Sequence, residues 1–270
     1  MIVAISYRQT IRAYPQGGGS YRVSHDNLGD VTGLVAGAAL SIDYVLTVAV
    51  STAAGIAALT SYFPALEAWR VPLCLLALGL LMLANLRGLR SSAQLLSLPT
   101  YVFMVAVFAL VIGGLVRMAH GDLQGLSTAD QNLRMAAEHG VGVGQLGAAL
   151  TPVLLMRAFS SGCAALTGIE AISDSVLAFR PTEWRNARRV LTVMVVTLAL
   201  MFSGISVLAH QIGVVYVEHG PTLLYQLGTA VFGNGPLLLI LQLATLLILL
   251  LAANTAYADF PRLANSSPRM

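Results

Sequence analysis

Residues 159–173 read FSSGCAALTGIEAIS, placing Ser160, Ser161, Gly162, Thr167, Gly168 and Glu170 between two apolar stretches, ALTPVLLM and VLTVMVVTLALM. A second polar set stands earlier in the chain. Asp43, Thr47 and Ser51 fall at i, i+4 and i+8, while Tyr44, Thr47 and Ser51 fall at i, i+3 and i+7; either set lines one face of a helix. Hydroxyl and carbonyl oxygens in apolar surroundings can replace the water around a small cation. A carboxyl in the same place, such as that of Glu170, can take up and release a proton. Ion ligation and proton carriage are therefore the chemistry these residue types could perform.

The surroundings that must position them are apolar throughout. Hydrophobic residues make up 57% of the 270 and charged residues only 10%, against about 25% charged in an ordinary soluble domain. Mean hydropathy is +0.77. This composition implies an all-α polytopic membrane protein. All 15 basic residues are Arg, and the net charge of +3 is too small and scattered to suggest nucleic acid. Cys74 and Cys163 lie in apolar stretches without metal or redox spacing and read as small core residues. The first 30 residues are polar, hold three Arg and carry no secretory signal.

A membrane crossing needs about 20 mostly apolar residues. That ruler predicts six spans, near 33–60, 71–87, 97–116, 147–170, 190–212 and 235–258, with a short surface helix around TLLYQLGTAVF. Residues 1–32 then form a cytoplasmic N-terminal segment, 33–258 the transmembrane core and 259–270 a cytoplasmic tail. Pro99 and Pro236 fall near span starts, where a missing N–H matters little. Eleven arginines fall on one face of this arrangement, including Arg8, Arg12, Arg185, Arg188 and Arg189, against Arg70, Arg117 and Arg134 on the other. The excess puts both termini in the cytoplasm of a cell whose inner membrane the chain crosses.

Within the fourth span, Gly162 and Gly168 each weaken a helix by about 1 kcal/mol relative to Ala. Ser160, Ser161 and Thr167 can divert backbone hydrogen bonds. The pattern predicts a helix broken at membrane depth, where freed carbonyls can meet a solute, as in secondary transporters; the alternative is a glycine-containing helix that packs tightly. For Glu170 the alternative is a pairing with Arg at the membrane edge, and Arg157 in the same span could balance a carboxylate or snorkel outward. Thr47 and Ser51 could instead hydrogen-bond between helices, and Asp43 could sit near the cytoplasmic end beside arginines. Gly33 and Gly37 form a GxxxG that suits close packing. Gln242, Thr245, Asn254, Thr255 and Asp259 mark the last span sparsely.

No enzyme chemistry assembles. FSSG lacks the leading Gly of an intramembrane serine protease, and of the five histidines only His210 is near a span. There is no HExxH, and GGG at 17–19 is followed by no Lys. No cofactor is implied.

Five stretches in order, YPQGGGSY (14–21), DYVLTVAVS (43–51), NLRG (85–88), FSSGCAALTGIEAIS (159–173) and LAANTAYADFPRLA (251–264), resemble the permeases of the APC superfamily. More narrowly they are similar to its KUP-like, KimA-type potassium–proton symporters. The resemblance implies a partial LeuT-type inverted-repeat fold with the six spans as helices three to eight and 147–170 as a broken helix. It implies cation contacts from Tyr44, Thr47, Ser51 and Thr167, with K⁺ as the ion, and proton coupling through Glu170. It also implies that helix one, most of helix two, the later helices and a cytoplasmic dimerisation domain are missing, so the chain is expected to be a fragment. The leading expectation is a proton-coupled K⁺ importer in its full-length form. Amino-acid uptake is the alternative within transport, because half-helix N–H groups also suit a carboxylate. A non-transporting membrane remnant is the alternative outside it.

Overall fold

The computed structural model describes residues 2–15, 19–87, 93–121, 152–163, 168, 172–173, 176, 183–214 and 220–266. Among these the secondary structure is helical, without a strand. In chain order the helices are α1 (Ile2–Ala13), α2 (Gly19–Leu28), α3 (Asp30–Tyr62), α4 (Arg70–Leu86) and α5 (Ala93–Ala119). They continue with α6 (Pro152–Cys163), α7 (Glu183–Ile212), α8 (Leu223–Phe232) and α9 (Pro236–Ser266). A 3-10 segment, Pro64–Trp69, leads into α4.

Among the described residues five segments are long and apolar enough to cross a membrane: Asp30–Tyr62, Pro64–Leu86, Ser97–Ala119, Glu183–Ile212 and Pro236–Ala258. Their side chains show why water is the wrong solvent. No residue of α4 is buried, and Leu75, Leu76, Leu80 and Leu86 are each at least 59% exposed. A helix apolar on its open faces is stable only against lipid. The chain is therefore an all-α, multi-pass membrane protein.

Two differences from the sequence reading have simple local causes. Helix α5 starts at Ala93, so Pro99 lies inside the helix and removes one helical hydrogen bond instead of sitting harmlessly at its start. The stretch TLLYQLGTAVF does form a helix, α8, but it is packed inward, with Gln226, Leu227, Gly228 and Val231 buried. Pro236, by contrast, occupies the first position of α9, as expected.

The helices fall into two compact units, Met1–Leu40 with Gly144–Phe202, and Ser41–Val143 with Ser203–Met270. In the first, α2 turns into α3 through Gly29 at φ +93, a left-handed conformation that glycine adopts without strain. Next to that turn the GxxxG pair closes the contact. A Cβ on Gly33 would stand 2.8 Å from the His25 Cβ, and one on Gly37 would stand 3.3 Å from the Tyr21 ring. Ile11, Val176, Ala187 and Leu191 form a buried apolar cluster against which Tyr7, Ile172 and Trp184 pack.

The second unit is also built on small residues. Gly55 meets Leu246, Gly114 meets Leu208, Gly204 meets Val111, and Gly228 meets Leu238 and Leu241. Lipid gives no hydrophobic drive for helices to associate, so close approach at small residues and interhelical hydrogen bonds hold them together. Helix α8 is tied at both ends. Its N-terminal Thr222 donates its backbone N–H to the Ser61 Oγ at 3.0 Å. The Arg117 guanidinium donates to the carbonyls of Ala230 and Val231 at 3.0 and 2.8 Å, where a helix C-terminus is short of partners.

Candidate ion-binding face

Helix α3 carries the first candidate set in an unbroken run of 33 residues. Asp43 is the fourteenth of them, more than three turns in from the helix's N-terminal end. Tyr44 is buried, at 9% exposure; Asp43, Thr47 and Ser51 are half-buried. A rise of about 1.5 Å per residue spaces Asp43, Thr47 and Ser51 about 6 Å apart along one face.

How the hydroxyls on α3 are used separates them into two groups. Thr52 is buried and donates to the Val48 carbonyl at 2.8 Å. Thr60 donates to Ala57 at 3.3 Å and Ser61 to Ala57 at 2.7 Å. Their hydrogen atoms are consumed by the helix's own backbone. Thr47 and Ser51 have no hydrogen-bond partner among the described residues, and the Asp43 carboxylate has neither a hydrogen bond nor an ion pair there. Tyr44 is engaged in an interaction of its own. The interhelical hydrogen bonds that Thr47 and Ser51 could have made are absent from the described structure. The face thus offers two free hydroxyls and a carboxylate within the apolar length of α3.

The second candidate set is described only in part. Thr167 and Glu170 lie outside the described residues, as do the side chains of Ser160, Ser161 and Arg157. Ser160, Ser161 and Gly162 fall within α6. A Cβ on Gly162 or Gly168 would meet nothing within 4 Å among the described residues.

The last span sorts its polar residues clearly. Thr245 and Thr255 donate to carbonyls four residues back. The Asn254 Oδ1 accepts from the Asn85 Nδ2 at 2.7 Å, joining α9 to α4. Asn254 is a polar residue of the last span and Asn85 belongs to NLRG, yet nothing local pairs them. Arg117, a charge at the end of its span in the sequence, closes α8 with its guanidinium. Neither pairing has a local sequence signal, because the partners are more than 100 residues apart.

Comparison with known proteins fits this membrane architecture. The sequence model of the family described as "Amino acid permease" matches residues 1–267. The chain belongs to the amino acid permease family. A curated relative, the potassium transporter KimA of Bacillus subtilis (strain 168), is 45% identical over 264 residues. That alignment takes in 98% of this permease-family chain but 42% of the relative, so the chain spans less than half the relative's length. The resemblance seen in the motifs, to APC permeases and within them to the potassium transporters, is therefore shown along almost the whole chain.

Proposed function

We propose that this chain forms part of a secondary active transporter that takes up K⁺ together with protons across the cell's inner membrane. The observation that carries the reading is the α3 face: Thr47 and Ser51 hold unengaged hydroxyls one turn apart, beside the buried Tyr44 and the unpaired Asp43. Hydroxyl oxygens are hard ligands suited to an alkali cation, and leaving them unpartnered inside an apolar helix serves no packing purpose. The 45% identical relative is a potassium transporter, which supports the choice of ion. Thr167 as a further cation contact, Glu170 as the proton carrier and a homodimer rest on the sequence resemblance; the broken-helix role of Ser160, Ser161, Gly162 and Gly168 rests on their helix-weakening residue types, and cytoplasmic termini rest on the arginine count.

The test is K⁺-dependent uptake, in proteoliposomes and in cells lacking their own K⁺ importers. Replacing Thr47 by Val removes one hydroxyl from a charged ligand, an interaction of about 1.5 kcal/mol or more, and is expected to raise the K⁺ concentration for half-maximal uptake roughly tenfold. The matched change Thr52→Val touches a hydroxyl already bonded to backbone and is expected to leave it unchanged. Equal effects from the two variants would remove Thr47 from the ion path. The family description favours a second reading, amino-acid uptake. Thermal stabilisation by a panel of amino acids, with none by K⁺, would select it; stabilisation by neither would point to a remnant that does not transport.

A further inference from the structure

Helix α7 opens with EWRNARRV, and its arginines are arranged around one aromatic ring. The Arg185 guanidinium carbon stands 5.1 Å from the Trp184 ring centroid and that of Arg188 stands 5.8 Å from it. Trp184 itself packs on the buried cluster of Ile11, Val176, Ala187 and Leu191. Ile11 belongs to α1, whose Arg8 and Arg12 are exposed and one turn apart. One apolar core thus holds together two helices that carry Arg8, Arg12, Arg185, Arg188 and Arg189.

None of these five arginines is paired with a carboxylate among the described residues, where the arginine ion pairs are Arg22–Asp26 and Arg70–Glu67. The Arg188 Nε is buried and finds no protein acceptor. A merely solvated basic face would not bury a donor in this way. With its Nε held inside, the remainder of the half-buried Arg188 guanidinium has no carboxylate partner among the described residues and can take an acceptor from outside the chain.

The position along α7 identifies that acceptor. From Arg185 to Val190, where the apolar run VLTVMVVTLALM begins, is about 7.5 Å along the axis. The headgroup layer on each side of a bilayer is about as thick. Tryptophan favours this layer, with its ring on the apolar side and its N–H in the polar side. Guanidinium groups match phosphate oxygens in pairs, and the positive end of the α7 dipole adds to the attraction.

We propose that Trp184, Arg185, Arg188 and Arg189, together with Arg8 and Arg12, form a docking site for the phosphate of an anionic phospholipid in the adjoining leaflet. The site rests on the membrane-spanning fold and is independent of which solute is transported.

The test uses the full chain with Trp69→Phe, which leaves Trp184 as the sole tryptophan of the two, reconstituted in phosphatidylcholine vesicles. Brominated phosphatidylglycerol is expected to quench Trp184 at a lower mole fraction than brominated phosphatidylcholine does. Each arginine changed to Gln is expected to reduce that preference about fivefold, so that R185Q/R188Q/R189Q falls to parity, and added salt weakens it throughout. The R8Q/R12Q variant, altered only at exposed positions, is expected to lose preference by the same rule and keeps the test open should the triple variant not fold. Equal quenching by the two lipids in the parent, or an undiminished preference in R8Q/R12Q and in any folded α7 variant, overturns the proposal. So does displacement of the lipid by glycerol phosphate at low concentration, which would mark a site for soluble anions.

Discussion

Gly204→Ala is expected to destabilise the second unit, and Val111→Ala is expected to rescue it. Gly204 lies on α7 and Val111 on α5. A Cβ at position 204 would collide with the Val111 Cγ1, stand 3.0 Å from Cγ2 and 3.3 Å from Cβ, where carbon atoms prefer about 3.5–4.0 Å. Valine on a helix is held in one rotamer about 90% of the time. The two methyls have nowhere to turn, so the helices must part. Overpacking of this kind costs about 1–3 kcal/mol, and contact with three atoms of a stiff side chain places it near the upper end. Alanine returns about 1 kcal/mol of helix propensity, leaving a net loss of about 2 kcal/mol. Val111→Ala alone removes the packing contacts of two buried methyl groups and leaves a space, at about 1–2 kcal/mol. Combined, the new Cβ at 204 enters that space, and the double variant should lose only about 1 kcal/mol where additivity gives about 3–4. Thermal unfolding of the purified chain in detergent, followed by loss of the monodisperse species, measures all three. A Gly204→Ala chain that melts with or above the parent, or a double variant that behaves additively, refutes the packing argument. Gly79→Ala is the control, since its Cβ would meet nothing within 4 Å; it should gain up to about 1 kcal/mol.

Two further outcomes follow from the polar residues of α9. Alanine at Asn85, at Asn254 and at both should give a coupling energy of about 0.6 kcal/mol and not above about 1.7, the range of interhelical hydrogen bonds in membranes; zero coupling in a thermal-unfolding cycle would mean the 2.7 Å contact does not hold the helices. Gln242 is 1% exposed and neither its Nε2 nor its Oε1 finds a protein partner. Gln242→Leu should therefore stabilise the unit, by about 1 kcal/mol or more, and a lower unfolding temperature would show that the amide is engaged.

The membrane fold was legible because it follows from composition and length. An 18-residue apolar run has few alternatives in any protein, and the helices near 33–60, 71–87, 97–116, 190–212 and 235–258 come from that rule. Helix ends were less legible: α7 starts seven residues before its apolar run and α9 continues past its own, because polar turns extend a helix without adding hydropathy. The α3 stripe of Asp43, Thr47 and Ser51 was legible as a face, since helical spacing is a local property. Which of its hydroxyls are already satisfied was not, because Thr47 and Thr52 look alike in sequence and differ only in where their side chains point.

The sequence alone determined that this protein lives in lipid, that it is helical, and that oxygen-bearing residues interrupt its apolar segments at helical spacing. Those properties depend on residues within a few turns of each other. The tertiary structure alone decided that Arg117 closes the end of α8, that Asn85 meets Asn254, and that Trp184 gathers two arginines over a core shared with α1. Each of those joins residues that only packing brings together, and no local pattern encodes the pairing.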